Sequence, residues 1–342
     1  MNRLADVSRT YGLQGAILAL VIVAVLVVAP DFVGQPAAFS VLERLVPLGI
    51  ITAGIAVTMI VGELDLSIAS VAALSGATAI LLSNSGLGLV PVLLVATAAG
   101  AAVGALQGWA VARLGISSLV LTVGTLILFR GATSLVTGGV PITPDDYGVS
   151  DQLLMRYGVL SPTSITALLV LVVLGVFLSR TRPGMALYAV GGGRNEAVAA
   201  GVPLRPTLVI AFAISGGCGA LAGALSSLRS ASATPDGFTN MLLLGVAAAL
   251  VGGISLAGGR GGMVNVLLGV VITSTLAAGL SSVGFKAFVA ELFTGVLLLA
   301  VIGADAAVRW ISRRRYLAEQ RRQLSGLSAI DLTAAEPEVS RR

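Results

Sequence analysis

Ten long apolar segments, separated by charged or turn-rich breaks, run through this chain of 342 residues. Each is close to the roughly 20 residues that a helix needs to cross a bilayer. Hydrophobic residues make up 56% of the chain and charged residues 11%, whereas soluble domains carry about 25% charge. Because so few charges cannot cover a water-facing surface, the pattern predicts an all-α, polytopic membrane helical bundle. The predicted spans are 13–29, 45–62, 66–82, 88–112, 116–137, 163–179, 207–228, 241–258, 262–282 and 287–304.

The residue types that the chain lacks exclude several kinds of catalytic site. Histidine is absent, so there is no imidazole base, no Ser-His-Asp triad and no histidine metal site. The single cysteine, Cys218, excludes an internal disulfide and a cysteine-ligated cluster. The single lysine, Lys286, does not lie in a Walker A sequence, so the chain has no ATP-hydrolysing P-loop of its own. We therefore expect a chain that holds no metal or cofactor and does not hydrolyse ATP itself.

The distribution of basic residues predicts the topology. With the N-terminus in the cytoplasm, most of the 21 basic residues fall in inside segments, and the exceptions are Arg44, Arg130, Arg156, Arg229 and Lys286. The positive-inside rule therefore supports ten spans with both termini in the cytoplasm. We divide the chain into a membrane domain, 1–305, and a cytoplasmic tail, 306–342. The arginine run 313–315 directly follows the last span, so we assign it to topology and expect no nucleic-acid binding.

Two carboxylates lie between the second and third spans with almost no polar spacer around them. Glu63 and Asp65 belong to the segment 61–67, in which Gly62 allows a sharp reversal of the chain. Ionisable residues at membrane depth are costly and are candidates for function. One interpretation is that Asp65 or Ser67 caps the third span. The other is that the segment is a broken helix that lines the pathway.

A comparable segment, 235–240, precedes the eighth span and contains the capping groups Asp236 and Asn240. If the second five spans repeat the first five with inverted topology, 62–67 and 235–240 occupy related positions on opposite faces. The sequence leaves this five-helix repeat open, because no internal sequence identity supports it.

Arg130 lies within the fifth predicted span. An arginine there must snorkel to the surface, pair with a carboxylate or face a hydrated cavity. Glu291, in the outer part of the tenth span, is one available partner. The candidates for the translocation pathway or its gate are therefore Glu63, Asp65, Ser67, Arg130, Asp236 and Asn240.

Four segments carry a resemblance to one family. They are Gly62-Glu63-Leu64-Asp65-Leu66-Ser67 with 70–76, Phe129-Arg130-Gly131 with 137–142, Arg182-Pro183-Gly184 with 188–192 and 200–203, and the glycine-rich run 252–262. Together they resemble the permease subunits of ABC importers for ribose, xylose, galactose and related small sugars, over about residues 40–305. Two positions depart from the family pattern. Glu63 stands where the family usually has Gly, and Glu196 lies one position later than the family's Glu.

The resemblance implies a multi-pass subunit of the bacterial inner membrane that pairs with a second permease copy or a homologue. It also implies a cytoplasmic ABC ATPase dimer and an extracytoplasmic solute-binding protein as partners. The inside loop 180–206 would be the ATPase-coupling loop, with a short helix around 194–201 that Gly201 caps. Its coupling residues would be Arg194, Asn195, Glu196, Ala197, Ala200 and Gly201. The characteristic late glycine motif comprises Gly252, Gly253, Gly258, Gly259, Arg260 and Gly261.

The leading hypothesis is import of a small sugar by alternating access, driven by a partner ATPase. A neutral sugar needs hydrogen-bonding groups more than charges, and the plausible contributors are Asn84, Gln107, Ser226, Ser227, Thr239 and Asn240. Related ABC permeases carry nucleosides, branched-chain amino acids or signalling furanosyl compounds, so another cargo stays open. The rival is an ion-coupled secondary transporter that uses Glu63, Asp65 or Glu291 as a proton carrier.

Overall fold

The computed structural model describes residues 3–301 and residue 303. The chain divides into two compact units, Met1–Gly295 and Val296–Arg342. Of the second unit, residues 296–301 and 303 are described, and they are helical. The predicted cytoplasmic tail, 306–342, lies outside the described residues.

The described chain is helical, and no strand occurs within residues 3–301. The helices are α1 (Arg3–Val28), α2 (Gly34–Ile60), α3 (Ile68–Asn84), α4 (Leu89–Leu114), α5 (Ser118–Thr137), α6 (Gly148–Leu154), α7 (Pro162–Arg180), α8 (Arg182–Gly192), α9 (Arg194–Ala199), α10 (Leu204–Arg229), α11 (Thr239–Val251), α12 (Met263–Ser282) and α13 (Ala287–Val301). Seven of them, α1, α2, α4, α5, α7, α10 and α12, are long and apolar enough to cross a membrane. Three more, α3, α11 and α13, are apolar but shorter. The predicted all-α membrane bundle is confirmed, whereas ten spans and the inverted repeat stay predictions.

Glycines set the distance between the central helices. A Cβ atom built on Gly104 of α4 would lie 2.0 Å from the carbonyl oxygen of Phe212 in α10. A Cβ atom on Gly216 of α10 would lie 2.2 Å from the carbonyl oxygen of Gly100. No side chain fits at these contacts, so the small residues let the two backbones touch. Such close packing is needed because the hydrophobic effect does not drive helices together inside lipid.

Three predicted boundaries are wrong. The first span was expected from residue 13, but α1 begins at Arg3. The second span was expected from residue 45, but α2 begins at Gly34, because the charged pair Glu43 and Arg44 finds partners and does not end the helix. The eighth span was expected to reach residue 258, but α11 ends at Val251. Gly253 has a φ of +94°, which a helix cannot contain, so the late glycine motif forms an irregular connection.

The connections collect at two ends of the bundle. The Glu63 end consists of residues 61–67, 191–194 and 252–262, which lie in or next to connections predicted to be inside. The Glu43 end consists of residues 29–44, 138–162, 229–240 and 281–286, all predicted to be outside. Contacts between distant segments hold each end together, such as the backbone bond from Gly259 to Ile60 at the first and the Glu43–Arg229 pair at the second.

Candidate functional site

The turn between α2 and α3 is fixed by its own backbone. Gly62 takes a φ of +82°, and its N–H donates to the carbonyl of Met59. The N–H of Glu63 donates to the carbonyl of Thr58 at 2.9 Å. This pair of bonds is the Schellman motif, which closes a helix through a left-handed glycine. Gly62 therefore reverses the chain as the sequence predicted.

Asp65 holds the backbone N–H of Ser67, the residue before α3, and its contacts tie α3 to three other helices. Its Oδ1 accepts from the backbone N–H of Ser67 at 2.9 Å, and its Oδ2 accepts from the hydroxyl of Ser215 at 2.7 Å. The amide of Gln107 donates to Ser67 Oγ at 3.0 Å and to Thr125 Oγ1 at 2.8 Å. We call these five residues the Asp65 network. Asp65 is 1% exposed with both oxygens occupied, which favours the capping interpretation, and it lines neither of the two cavities described below.

Glu63 makes a different set of contacts. Its carboxylate forms an ion pair with Arg194, the first residue of α9, and accepts a hydrogen bond from Ser118 at the start of α5. The side chain of Glu63 is 11% exposed and that of Arg194 is 46% exposed. Both residues were candidates from the sequence, but their pairing was not predicted. The pair joins the α2–α3 turn to the long connection between α7 and α10.

The short helix predicted around 194–201 is present as α9 (Arg194–Ala199). Its end is a second Schellman motif: Gly201 has a φ of +83°, and the N–H of Val202 donates to the carbonyl of Ala197 at 2.9 Å. Ala197 is buried against the bundle, while Val198 is half exposed. The remaining residues of the helix and its cap are exposed, namely Arg194, Asn195, Glu196, Ala199 and Ala200. The helix thus presents most of its surface outward.

The late glycine motif packs on the ends of α2 and α8. The N–H of Gly259 donates to the carbonyl of Ile60 at 2.8 Å. A Cβ atom on Gly191 would lie 1.8 Å from the Ile60 carbonyl oxygen, and one on Gly258 would lie 2.6 Å from the Gly191 carbonyl oxygen. We call Ile60, Gly191, Gly258 and Gly259 the glycine junction. Its three segments touch backbone to backbone, which only glycine permits.

Two further contacts complete the motif. The side chain of Asn265 donates to the carbonyl of Gly252 at 2.7 Å, and the hydroxyl of Tyr188 donates to the carbonyl of Gly261 at 2.8 Å. Burial raises the pKa of Tyr188 above its ordinary value, so its hydroxyl keeps the proton that this bond uses. Arg260 is exposed. The α11–α12 connection is therefore anchored to α8 as well as to α2.

At the Glu43 end, Arg130 pairs with Asp236 through Nε and Oδ1 at 2.6 Å. Glu291 was the partner suggested by the sequence, and that suggestion is wrong, because Glu291 accepts instead from the side chain of Asn240 at 3.2 Å. The side chains of Arg130 and Asp236 are 53% and 60% exposed. The pair thus lies at the surface of the chain, unlike the buried Asp65 network.

Two adjoining cavities open at the Glu43 end. The larger holds about 940 Å³ between α2, α12 and α13, and the smaller about 340 Å³ between α2, α10 and α11. We call the larger one the Glu43 cavity. Glu43, Pro47, Arg229 and Met241 line both. Glu43 and Arg229 form an ion pair at 2.5 Å, and Ser161 donates to the same carboxylate.

The sequence analysis did not select Glu43 or Arg229, yet a signal was present. Arg44, Arg156 and Arg229 line the Glu43 cavity, and all three are exceptions to the inside placement of basic residues. Basic residues that the positive-inside rule does not explain need another reason to be where they are. Within residues 3–301, no group of three or more Cys, Asp or Glu could hold a metal ion.

Comparison with known proteins identifies the family. The family described as "Branched-chain amino acid transport system / permease component" matches residues 37–302. The ribose import permease of Bacillus subtilis is 31% identical over 291 residues, which cover 84% of this chain and 90% of that protein. The D-allose and L-arabinose transport system permeases of Escherichia coli are each 28% identical, over 73% and 75% of this chain and 77% and 78% of their own lengths. The chain therefore belongs to this family of ABC importer permeases, as its four sequence motifs predicted.

Proposed function

We propose that the chain is the membrane subunit of an importer for a small sugar, and that α9 is the element through which a separate ATPase chain drives it. The observation that carries this proposal is the Glu63–Arg194 ion pair. It connects an outward-facing short helix directly to the turn between two membrane helices. A movement of α9 therefore has a mechanical route into the bundle.

The outward surface of α9 supports its role as the docking element. Asn195, Glu196 and Ala200 are exposed, and Val198 adds an apolar side chain that is 50% exposed. Mixed polar and apolar surface of this kind suits a protein partner. The partner that fits is an ABC ATPase, because the chain carries no phosphate-binding loop sequence of its own.

The route from α9 into the membrane has two branches. The first is Arg194 to Glu63, which reaches the start of α3 and, through Ser118, the start of α5. The second is the glycine junction, in which the end of α8 touches Ile60 of α2 and the α11–α12 connection. Because the junction has backbone contacts and no flexible side chains, it transmits displacement with little loss. Tilting α8 and α9 would then shift the bundle between two packings, which is how a partner biases a conformational equilibrium.

The relatives favour a sugar as the cargo. Three of them are named for ribose, D-allose and L-arabinose, which are neutral, polyhydroxylated solutes. The family description names branched-chain amino acids, so a zwitterionic cargo is the second candidate. A solute-binding protein would deliver the cargo, and a second permease copy or homologue would complete the pathway. The arginine bias of the sequence supports a topology in the bacterial inner membrane with both termini in the cytoplasm.

The proposal is tested by isolating the tagged chain from its native membrane in mild detergent and identifying the copurifying proteins by mass. We expect an ABC ATPase and a solute-binding protein, and ATP-dependent uptake of sugar when the complex is placed in liposomes. A chain that elutes alone and moves solute on an ion gradient would contradict the proposal. In that case Glu63, Asp65 and Glu291 would become candidate proton carriers.

A further inference from the structure

The Glu43 cavity has the size of a small-molecule site. Its volume of about 940 Å³ lies at the upper end of the range of about 300–1,000 Å³ that such sites occupy. Its lining combines apolar side chains, such as Phe39 and Met241, with serines and threonines from α12 and α13. Predominantly apolar walls with a few placed polar groups are typical of binding sites.

The charges around this cavity balance. Three acidic and three basic residues line it, namely Asp31, Glu43, Glu291, Arg44, Arg156 and Arg229. The arginines are already engaged: Arg229 pairs with Glu43, Arg44 donates to Ser281 at 2.8 Å, and the guanidinium of Arg156 lies 3.8 Å from the centre of the Phe39 ring. A ligand with a net charge would find no surplus of opposite charge. The cavity therefore suits a solute without net charge.

Several polar atoms at the cavity lack a partner within the described residues. Ser274 Oγ and Arg229 Nε are buried and make no hydrogen bond, and Ser226 Oγ on the adjoining smaller cavity is in the same state. Ser274 is 1% exposed. Pro47 has no N–H to donate, so the carbonyl of Glu43 one turn earlier loses its helical partner. Buried polar groups are almost always satisfied, so a group of unmatched ones around one space indicates that something else binds them.

From this geometry we propose that the Glu43 cavity binds a small, uncharged, polyhydroxylated solute. Each hydroxyl of such a solute both donates and accepts, which matches a mixed set of unmatched groups. Arg229 Nε donates to the solute, the Glu43 carbonyl accepts from it, and Ser274 Oγ does either. The inference rests on the proposed function, because sugar import provides such a solute.

The test uses the cysteine content of the chain. Cys218 is the single cysteine and is buried, so Ser282→Cys in a Cys218→Ala background places one accessible thiol at an exposed position of the cavity lining. The probe is a small, water-soluble methanethiosulfonate reagent, with D-ribose, D-allose and L-arabinose as competing ligands and L-leucine as the zwitterionic comparison. We expect at least one sugar to slow labelling about tenfold at ten times its dissociation constant, since labelling falls with the unoccupied fraction, and L-leucine to have no effect.

Two further variants keep the result interpretable. Ser85→Cys lies at the exposed end of α3 and away from both cavities, so its labelling should be fast and unaffected by sugar. Ser281→Cys lines the same cavity, is also exposed and replaces Ser282→Cys if that variant does not fold. Thiols that do not label, or that no sugar protects, overturn the assignment of the site.

Failure of this inference is distinguishable from failure of the proposed function. Sugar uptake by the complex without protection of the cavity thiols would contradict the binding site but agree with the proposed importer function. Protection in a chain that never copurifies with an ATPase would keep the site and overturn the importer.

Discussion

At the Glu63 end, Asp65 is buried with both carboxylate oxygens occupied, and the glycine junction leaves no room for a single methyl group. At the Glu43 end, Ser274 Oγ and Arg229 Nε are buried beside a cavity of about 940 Å³ and have no partner in the described part of the chain. One end is thus filled and satisfied, while the other keeps space and unmatched polar groups. We therefore expect the Glu63 end to transmit displacement and the Glu43 end to receive a ligand.

The same contrast appears in the two ion pairs that involve predicted pathway residues. Glu63 is 11% exposed where it meets Arg194, whereas Asp236 is 60% exposed where it meets Arg130. Solvent screens an exposed pair far more than a half-buried one. The first pair can therefore position a helix, and the second contributes little beyond local order. Variants at each end test this difference.

Removing the Asp65 carboxylate should have the largest effect. Asp65→Ala leaves the Ser67 N–H and the Ser215 hydroxyl without an acceptor in a buried site, and we expect a loss of about 2–4 kcal/mol of stability and no uptake. Asp65→Asn is the matched control. It retains an oxygen for the cap, and Ser215 can turn its hydroxyl to accept from the new amide.

Thermal unfolding of the purified protein and sugar uptake in liposomes would measure both variants. We expect Asp65→Asn to keep most of its stability and uptake. An Asn variant that is fully stable but inactive would instead assign Asp65 to the translocation pathway.

Adding one methyl group to the glycine junction should come next. In Gly191→Ala the new Cβ would lie 1.8 Å from the Ile60 carbonyl oxygen, so α8 must move away from α2. Overpacking of this kind costs about 1–3 kcal/mol, and we expect uptake to fall more than the ATPase activity of the complex. Gly192→Ala is the control, because its Cβ would meet nothing within 4 Å. Equal uptake by the two variants would show that the junction does not transmit motion.

The cap of α9 can be strained without a steric clash. A Cβ atom on Gly201 would meet nothing within 4 Å, but the residue has a φ of +83°. Gly201→Val should therefore cost about 1–2 kcal/mol locally and uncouple ATP hydrolysis from uptake, while the protein still reaches the membrane. Gly201→Asn should keep more coupling, because Asn adopts this conformation more readily. Normal coupled uptake by Gly201→Val would remove α9 from the coupling role.

Breaking the Glu63–Arg194 pair should have a moderate effect on transport and a small one on stability. Because Arg194 is 46% exposed, we expect a loss of about 1 kcal/mol or less in stability for Glu63→Gln or Arg194→Gln. Uptake should fall several-fold with ATP hydrolysis retained. In a double-mutant cycle the two changes together should cost no more than either one, since both remove the same interaction. Additive losses would show that each residue acts through a different contact.

The apolar runs were sufficient to predict a helical membrane bundle, and the segregation of arginines anticipated which connections meet at each end. The motifs could not reveal that α2 continues through Glu43 and Arg44, because their partners, Arg229 and Ser281, lie far away in the sequence. Hydropathy also assigned the late glycine motif to a helix, since an apolar average carries no information about a positive φ. Gly62 and Gly201 were predicted correctly because the signal of a helix-ending glycine is local.

Breaking the exposed Arg130–Asp236 pair at the Glu43 end should have the smallest effect, and this variant is the reference for the others. Arg130→Gln breaks its contact with Asp236, but both side chains are more than half exposed, so we expect a change of about 0.5 kcal/mol or less in stability. Uptake should stay close to that of the parent protein at moderate salt, where exposed charges are screened.

Arg229→Gln is the comparison at the same end: it removes a half-buried guanidinium that holds Glu43 and lines both cavities. If the Glu43 cavity binds the solute, Arg229→Gln should raise the sugar concentration needed for half-maximal uptake, and Arg130→Gln should not. An equal rise in both variants would mean that the electrostatic field of the Glu43 end as a whole governs uptake. That result would contradict binding of the solute in the Glu43 cavity.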